Sequence, residues 1–152
     1  MLEPLSNGCI ENEANEFASE LLLPKETANN FINQSNDINF ENIIQFCKKL
    51  EVSKAFALRK LQPLSKIPVA FIFSYKGKVR YIHCDNFPFI KIWSRDSLPN
   101  NSVSHIDGDE NTVQKKVEVN PKVWLKNSIN QRLYEQLFIQ EDGYRVTMLT
   151  LN

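Results

Sequence analysis

The chain has 152 residues, of which 42% are hydrophobic and 24% are charged, and this composition is typical of a globular protein. Its 18 basic and 18 acidic residues cancel, which excludes nucleic-acid binding driven by a large overall positive charge. No apolar run approaches the roughly 18 residues that a membrane-spanning helix needs, and no secretory signal is visible.

The residues before Pro68 are predicted to be helical. Apolar residues recur at helical spacing ahead of Pro24 and predict one amphipathic helix, with the stripe Ile10, Ala14, Phe17, Ala18 and Leu21. A short helix is expected after Pro24. Asn39 is predicted to cap a third helix, and Ser53 a fourth that ends near Pro63.

After Pro68 the apolar residues alternate, which predicts strands. The expected strands are a hairpin of 69–74 and 79–84 around Lys76-Gly77, a third strand at 89–93, and a closing hairpin of 133–140 and 144–151. The aromatic side chains here, Trp93 included, are expected in the core. The sequence therefore predicts an α+β fold with a helical part, residues 1–66, followed by a β-rich part, residues 67–152.

The first helix carries the most informative polar residues. Glu11 and Asn15 are one turn apart and share a helix face, and Glu11 lies on the flank of the apolar stripe. A carboxylate in that position is expected to be partly shielded from water, which suits a metal ligand that Asn15 could orient. The alternative from spacing alone is a surface helix with solvated acids, as Glu16 and Glu20 are expected to be.

The same stretch resembles a known family. Residues 11–24 match the pattern E-x-E-A-N/D-x-F-A-x-x-L-L-x-P at Glu11, Glu13, Ala14, Asn15, Phe17, Ala18, Leu21, Leu22 and Pro24. Two further segments are similar, Leu50-Glu51-Val52-Ser53 with Arg59 and Leu61, and 143–149 near the end of the chain. The pattern resembles the glutamate helix of the ImmA/IrrE zinc metallopeptidases, and about half of the chain has specific matches.

The resemblance implies a zincin-like domain in which two histidines of an H-E-x-x-H helix and one downstream glutamate bind zinc. It implies Glu11 as that zinc ligand, with Glu13 as the second choice and Asn15 as its supporting neighbour. It also implies a cytoplasmic endopeptidase whose substrate is an Xre-type helix-turn-helix repressor. Cleavage of that repressor would switch on stress-response or mobile-element genes.

The sequence departs from the family in its histidines. Only His83 and His105 are present, and neither lies in an H-E-x-x-H motif. We therefore expect a truncated product or a decayed copy that lacks the upstream peptidase half. Alone it should have no catalytic residue, no peptidase activity and only weak zinc binding.

The remaining metal-ligand residue types do not form a recognisable site. The cysteines Cys9, Cys47 and Cys84 form no CxxC pair and are expected to be reduced and mostly buried. His83 and Cys84 are predicted on opposite faces of a strand, so they should not chelate one ion together.

A second functional class remains open for residues 40–61. Their helix–turn–helix pattern carries the basic residues Lys48, Lys49, Lys54, Arg59 and Lys60. The chain could thus be a non-catalytic regulatory module that binds DNA or a repressor through these helices. Without excess positive charge, a packed helical hairpin with solvated lysines is the favoured interpretation. Some relatives also carry a GAF-like C-terminal domain, although the sequence does not indicate a ligand there.

Overall fold

The computed structural model describes residues 7–35 and 38–152, with side chains described from Glu11 onward. Among these described residues, four α-helices come first: α1 (Asn7–Leu22), α2 (Lys25–Gln34), α3 (Phe40–Leu50) and α4 (Lys54–Leu61). Six strands follow: β1 (Val69–Tyr75), β2 (Lys78–His83), β3 (Thr112–Val113), β4 (Val117–Val119), β5 (Leu133–Ile139) and β6 (Tyr144–Leu151). The α+β prediction is confirmed. No helix in the described ranges is long and apolar enough to cross a membrane.

The predicted helix boundaries are confirmed at both capping residues. Asn39 Oδ1 accepts a hydrogen bond from the Asn42 N–H at 2.9 Å, and Ser53 Oγ accepts one from the Phe56 N–H at 3.2 Å. Each bond satisfies a backbone donor that the first turn of a helix leaves without a partner. Between the two helices, Glu51 has a φ of 55° and ends α3 in the left-handed conformation.

The cap at Asn39 gives a first prediction about stability. Asn39→Ala should lower the free energy of unfolding by about 1 kcal/mol, because the Asn42 N–H loses its acceptor. Chemical denaturation measures this change. Asn30→Ala, an exposed substitution in the middle of α2, is the matched control and should have little effect. Equal stability of Asn39→Ala and the unmodified protein would contradict a capping role.

The sheet is built from two antiparallel hairpins joined along their inner strands. The strand order is β2-β1-β6-β5-β3, and β4 also pairs with β5. Gly77 at φ 76° and Gly143 at φ 82° occupy the turns of the β1–β2 and β5–β6 hairpins, where glycine tolerates the positive angle. Both hairpins were predicted, and the pairing of β1 with β6 brings the two together.

The two faces of the sheet are covered by different parts of the chain. On one face, Phe71, Phe138 and Met148 pack in one buried cluster with Phe40 of α3 and with Leu23, which follows α1. On the other face, a second cluster is closed by residues from the long connections between β2 and β5, among them Ile90, Leu98 and Trp124. The change from helices to strands lies near residues 66 and 67. The division into two domains stays a prediction, and the helices and the sheet share a core.

A side-chain hydrogen bond also joins α3 to the sheet. Gln136 on β5 is 2% exposed, and its Oε1 accepts from the Phe40 N–H at 3.0 Å. Its Nε2 donates to Glu41 Oε2 at 3.0 Å. One buried amide therefore satisfies the first turn of α3 and fixes that turn against β5.

A second buried polar group lies on the opposite face of β5. Glu135 is fully buried, and its Oε1 accepts from Ser102 Oγ at 2.5 Å and from Ser104 Oγ at 3.0 Å. Its Oε2 accepts from Trp124 Nε1 at 3.1 Å. Thr147 Oγ1 lies 2.6 Å from Ser104 Oγ and extends the network to β6. The carboxylate thereby fastens the connecting segments to the sheet.

Two expectations about the β-rich part are wrong. Residues 89–93 are not a strand, because only Ile90 makes an isolated bridge, with Leu125. Trp93 is 61% exposed and Tyr81 is 40% exposed, although both were expected in the core. This segment has two apolar faces, and the structure buries Ile90 and Ile92 while the aromatic side chains face outward. Cys47 is buried as expected, Cys84 is exposed, and the side chain of Cys9 lies outside the described residues.

Candidate functional site on the first helix

Several contacts fix the C-terminal end of α1 to the rest of the fold. Leu23, immediately after the helix, is fully buried in the cluster under the sheet. Glu20 accepts a hydrogen bond from the Lys25 N–H at 2.7 Å and lies 3.3 Å from Lys60 Nζ on α4. The backbone hydrogen bond and the Lys60 ammonium lower the pKa of Glu20 below its ordinary value. These contacts set the direction in which α1 projects.

An exposed apolar stripe runs along α1. Phe17 is 68% exposed and Leu21 69%, and Ala14, Ala18 and Leu22 are exposed as well. The stripe was predicted from spacing, although the side chain of Ile10 lies outside the described residues. The pattern shows that a face of α1 is apolar, and the structure leaves that face without cover among the described residues.

Glu11 and Asn15 lie on the flank of this stripe. They are one helical turn apart, about 40° from each other around the helix axis. Both are exposed, so the expected partial shielding of Glu11 is wrong for the described part of the chain. The reason is that the stripe beside Glu11 faces solvent instead of packing against another element.

Glu13 lies on the other side of α1. It lines a cleft of about 610 Å³ between α1, α2 and α4, together with Glu16, Glu20, Lys25, Arg59 and Lys60. Two positions apart on a helix, Glu11 and Glu13 point about 160° away from each other. They therefore cannot bind one ion together, and the two choices for a zinc ligand correspond to two different surfaces.

The described residues do not complete a metal site. No group of three or more His, Cys, Asp or Glu side chains that could hold a metal ion occurs among them. His105 Nε2 lies 3.3 Å from the Leu98 carbonyl oxygen, and His83 lies on β2, so both histidines belong to the β-rich part. A catalytic zinc needs about three protein ligands, and Glu11 with Asn15 does not fit that requirement alone.

His83 occupies an aromatic environment next to α4. Its ring makes edge contacts with Phe73, at 5.7 Å between ring centroids, and with Tyr81, at 5.4 Å. Its Nε2 is buried, with no hydrogen-bond partner among the described residues. Burial lowers the pKa of His83 and the Arg59 guanidinium lowers it further, while Asp85 opposes the shift.

This lowered pKa predicts a pH dependence of stability. Between the folded and unfolded pKa values the unfolded chain binds more protons at His83, so stability falls as pH drops below about 6.5. His83→Gln should reduce the loss of unfolding free energy between about pH 7.5 and 5.5, measured by urea denaturation. Identical losses in the variant and the unmodified protein would contradict this assignment.

A comparison with protein-family models gives a match to the helical part of the chain. Residues 3–62 match the model described as the IrrE N-terminal-like domain of a peptidase family. This part of the chain is similar to the ImmA/IrrE family, and residues 3–62 are called the ImmA/IrrE segment. The match includes α1 to α4 and ends before β1, so the sheet lies outside it. A search of curated proteins gives no match.

The ImmA/IrrE segment, residues 3–62, also contains the predicted helix–turn–helix pattern of α3 and α4. Lys54 Nζ lies 5.4 Å from the centroid of the Phe138 ring, and Lys60 pairs with Glu20. Ala57, Leu58 and Leu61 are buried against the sheet and the other helices. The second helix is thus packed into the fold along one face, and two of its basic side chains interact within the chain.

Two features of the structure were not found from the sequence. Glu135 interrupts the apolar positions Leu133 and Leu137 on the same face of β5, and this inward-facing acid was a usable signal. The exposed aromatic side chains Phe89 and Trp93 gave a weaker signal, because either face of the segment 89–93 could have been the buried one.

Proposed function

We propose that this chain contributes the glutamate helix of an ImmA/IrrE-type zinc metallo-endopeptidase. Glu11 is the proposed carboxylate ligand, and Asn15 the side chain that orients it. The observation that carries this proposal is the placement of Glu11 and Asn15 beside an exposed apolar stripe, within a segment of this peptidase family. The metallopeptidase family is compatible with zinc.

The exposed stripe supports the idea that another segment packs on α1. Burying a phenylalanine or leucine side chain is worth about 1.5–3 kcal/mol, so covering Phe17, Leu21 and Leu22 would stabilise an association appreciably. We propose that the covering segment is a helix carrying two histidines in an H-E-x-x-H motif. That segment would shield Glu11 from water and supply the ligands that the described residues lack.

The proposal assigns no independent peptidase activity to this chain. Glu11 is one carboxylate ligand where a catalytic zinc needs about three protein ligands, so zinc should bind weakly without the histidine-bearing segment. With that segment in place, zinc would supply the polarisation of a carbonyl group and the activation of water. The contribution of this chain is then to hold a charged oxygen ligand on a rigid helix.

The proposed substrate is an Xre-type helix-turn-helix repressor, and the proposed setting is the cytoplasm. Support comes from the ImmA/IrrE family alone. Cleavage of the repressor would switch on genes of stress response or of mobile elements. The other functional class, a regulatory module acting through residues 40–61, is less well supported, since Lys54 and Lys60 interact within the chain.

The test is to supply the H-E-x-x-H segment that is proposed to cover α1. The H-E-x-x-H region of an ImmA/IrrE relative is fused ahead of the chain or co-expressed with it. Zinc content and cleavage of an Xre-type repressor are then measured. Stoichiometric zinc together with cleavage supports the proposal. A stable fused or co-purified assembly without zinc would contradict it.

A further inference from the structure

An extended segment after β2 presents aromatic and basic side chains on one side. Phe89, Lys91 and Trp93 are exposed, whereas Ile90 and Ile92 between them are buried in the cluster beneath. The segment is held by residues 124–126. The Lys91 N–H donates to the Trp124 carbonyl at 2.9 Å, and the Lys126 N–H donates to the Phe89 carbonyl at 3.1 Å. The outward row is therefore fixed by backbone bonds on its inner side.

The two exposed rings form a pair. Phe89 is 49% exposed, and its ring centroid lies 5.4 Å from that of Trp93 in an edge-to-face arrangement. Lys126 Nζ lies 5.5 Å from the centroid of the Phe89 ring. Large apolar side chains that lie together on a surface mark a site of interaction more often than single exposed residues do. The neighbouring ammonium group indicates that the partner is anionic.

A polar cleft adjoins this pair at Lys91. The cleft has a volume of about 370 Å³ and is lined by Lys91, Lys122, Asn100, Asn101, Asn120, Pro99, Ile92 and Val123. None of these lining residues carries a carboxylate. The Lys91 ammonium donates to the Lys122 carbonyl oxygen, and both residues line the cleft. Amides and ammonium groups together suit phosphate and sugar oxygens.

The nearby acid has a structural role. Asp96 Oδ2 accepts a hydrogen bond from the Trp93 N–H at 2.7 Å, and this bond fixes the turn that follows the aromatic pair. The exposed phenylalanine of α1, Phe17, has a different environment, since the cleft beside it is lined by three acidic and three basic side chains.

We propose that Phe89, Trp93, Lys91 and Lys126 form a binding platform for single-stranded nucleic acid. An unpaired base stacks on the exposed rings, and the ammonium groups contact the flanking phosphates. A paired base is already stacked inside a duplex and presents only its edge, so duplex DNA should bind more weakly. This site lies outside the ImmA/IrrE segment and is independent of zinc binding by Glu11.

Fluorescence anisotropy with labelled oligothymidylate tests the platform on the full chain. Trp93→Ala should weaken binding about tenfold, in the range found for loss of one stacking ring. Lys91→Ala should weaken binding and also lower the salt dependence, by about 0.7 in the slope of log affinity against log salt. Phe17→Ala removes a similarly exposed ring from α1, where acidic side chains accompany the basic ones, and should leave the affinity unchanged.

Several results would overturn the platform. One is an unchanged affinity for the oligonucleotide in Trp93→Ala. Another is tighter binding to a duplex of the same length. A third is binding to anionic lipid vesicles without binding to the oligonucleotide. Because Phe89 and Trp93 are exposed, their replacement should preserve the fold, and circular dichroism checks this. An equal loss of oligonucleotide affinity in Phe17→Ala would show nonspecific binding to any exposed ring, and it would also contradict the site.

Discussion

Glu11→Gln should remove zinc from the assembly formed with the H-E-x-x-H segment and should abolish cleavage of the repressor. Glutamine keeps the size of the side chain but loses the negative charge that binds the metal. Structural zinc sites are worth about 10–16 kcal/mol over four ligands, so one lost ligand should weaken zinc binding by about a hundredfold or more. Zinc content by elemental analysis and repressor cleavage are the two measurements.

Two neighbouring glutamates provide the controls. Glu16→Gln changes an exposed acid on the opposite side of α1 and should leave zinc content and cleavage unchanged. Glu13→Gln separates the two candidate ligands, because Glu13 faces the cleft and Glu11 the apolar stripe. Loss of zinc in Glu13→Gln but not in Glu11→Gln would move the site into the cleft and refute the assignment of Glu11.

Glu135→Ala should lower the free energy of unfolding by about 3–5 kcal/mol. The substitution leaves Ser102, Ser104 and Trp124 Nε1 without their acceptor in a buried environment, and it creates a cavity beside β5. Glu135→Gln keeps the shape and the serine hydroxyls can turn, so a smaller loss of about 1–2 kcal/mol is expected. Urea denaturation measures both variants.

A surface acid on the adjacent strand is the matched control for Glu135. Glu118 on β4 is exposed and lies 4.0 Å from Arg132, whose side chain is also exposed. Such a pair contributes little, so Glu118→Ala should change stability by less than about 0.5 kcal/mol. If Glu135→Ala were as mild as this control, the buried network would not hold the connecting segments to the sheet.

Local patterns were sufficient to predict most of the regular elements. Asn39 and Ser53 satisfy helix starts through bonds to residues three positions away, and the turns at Gly77 and Gly143 join strands next to each other in sequence. Such short-range interactions are encoded in a few consecutive residues. The positions of the helices and of both hairpins were predictable for this reason.

The segment between β2 and β5 depends on distant contacts, and there the prediction was wrong. Residues 89–93 offer an isoleucine face and an aromatic face, and only the packing over the sheet decides which is buried. The candidate site on α1 was only partly predictable for the same reason. Spacing placed Glu11 beside an apolar stripe, but the segment that would cover the stripe is not encoded in the pattern itself.

The amide of Gln136 has a consequence for how the molecule responds to ligands. It fixes the first turn of α3 to β5, while Leu23, at the end of α1, is buried in the same core. Unfolding of the sheet therefore exposes the core in which the end of α1 is anchored through Leu23. The sheet and α1 should unfold cooperatively for this reason. By thermodynamic linkage, any molecule that binds only the folded sheet also raises the population in which α1 is correctly held. Ligand binding to the sheet is thereby coupled to the folded population of α1, without a change in the folded structure.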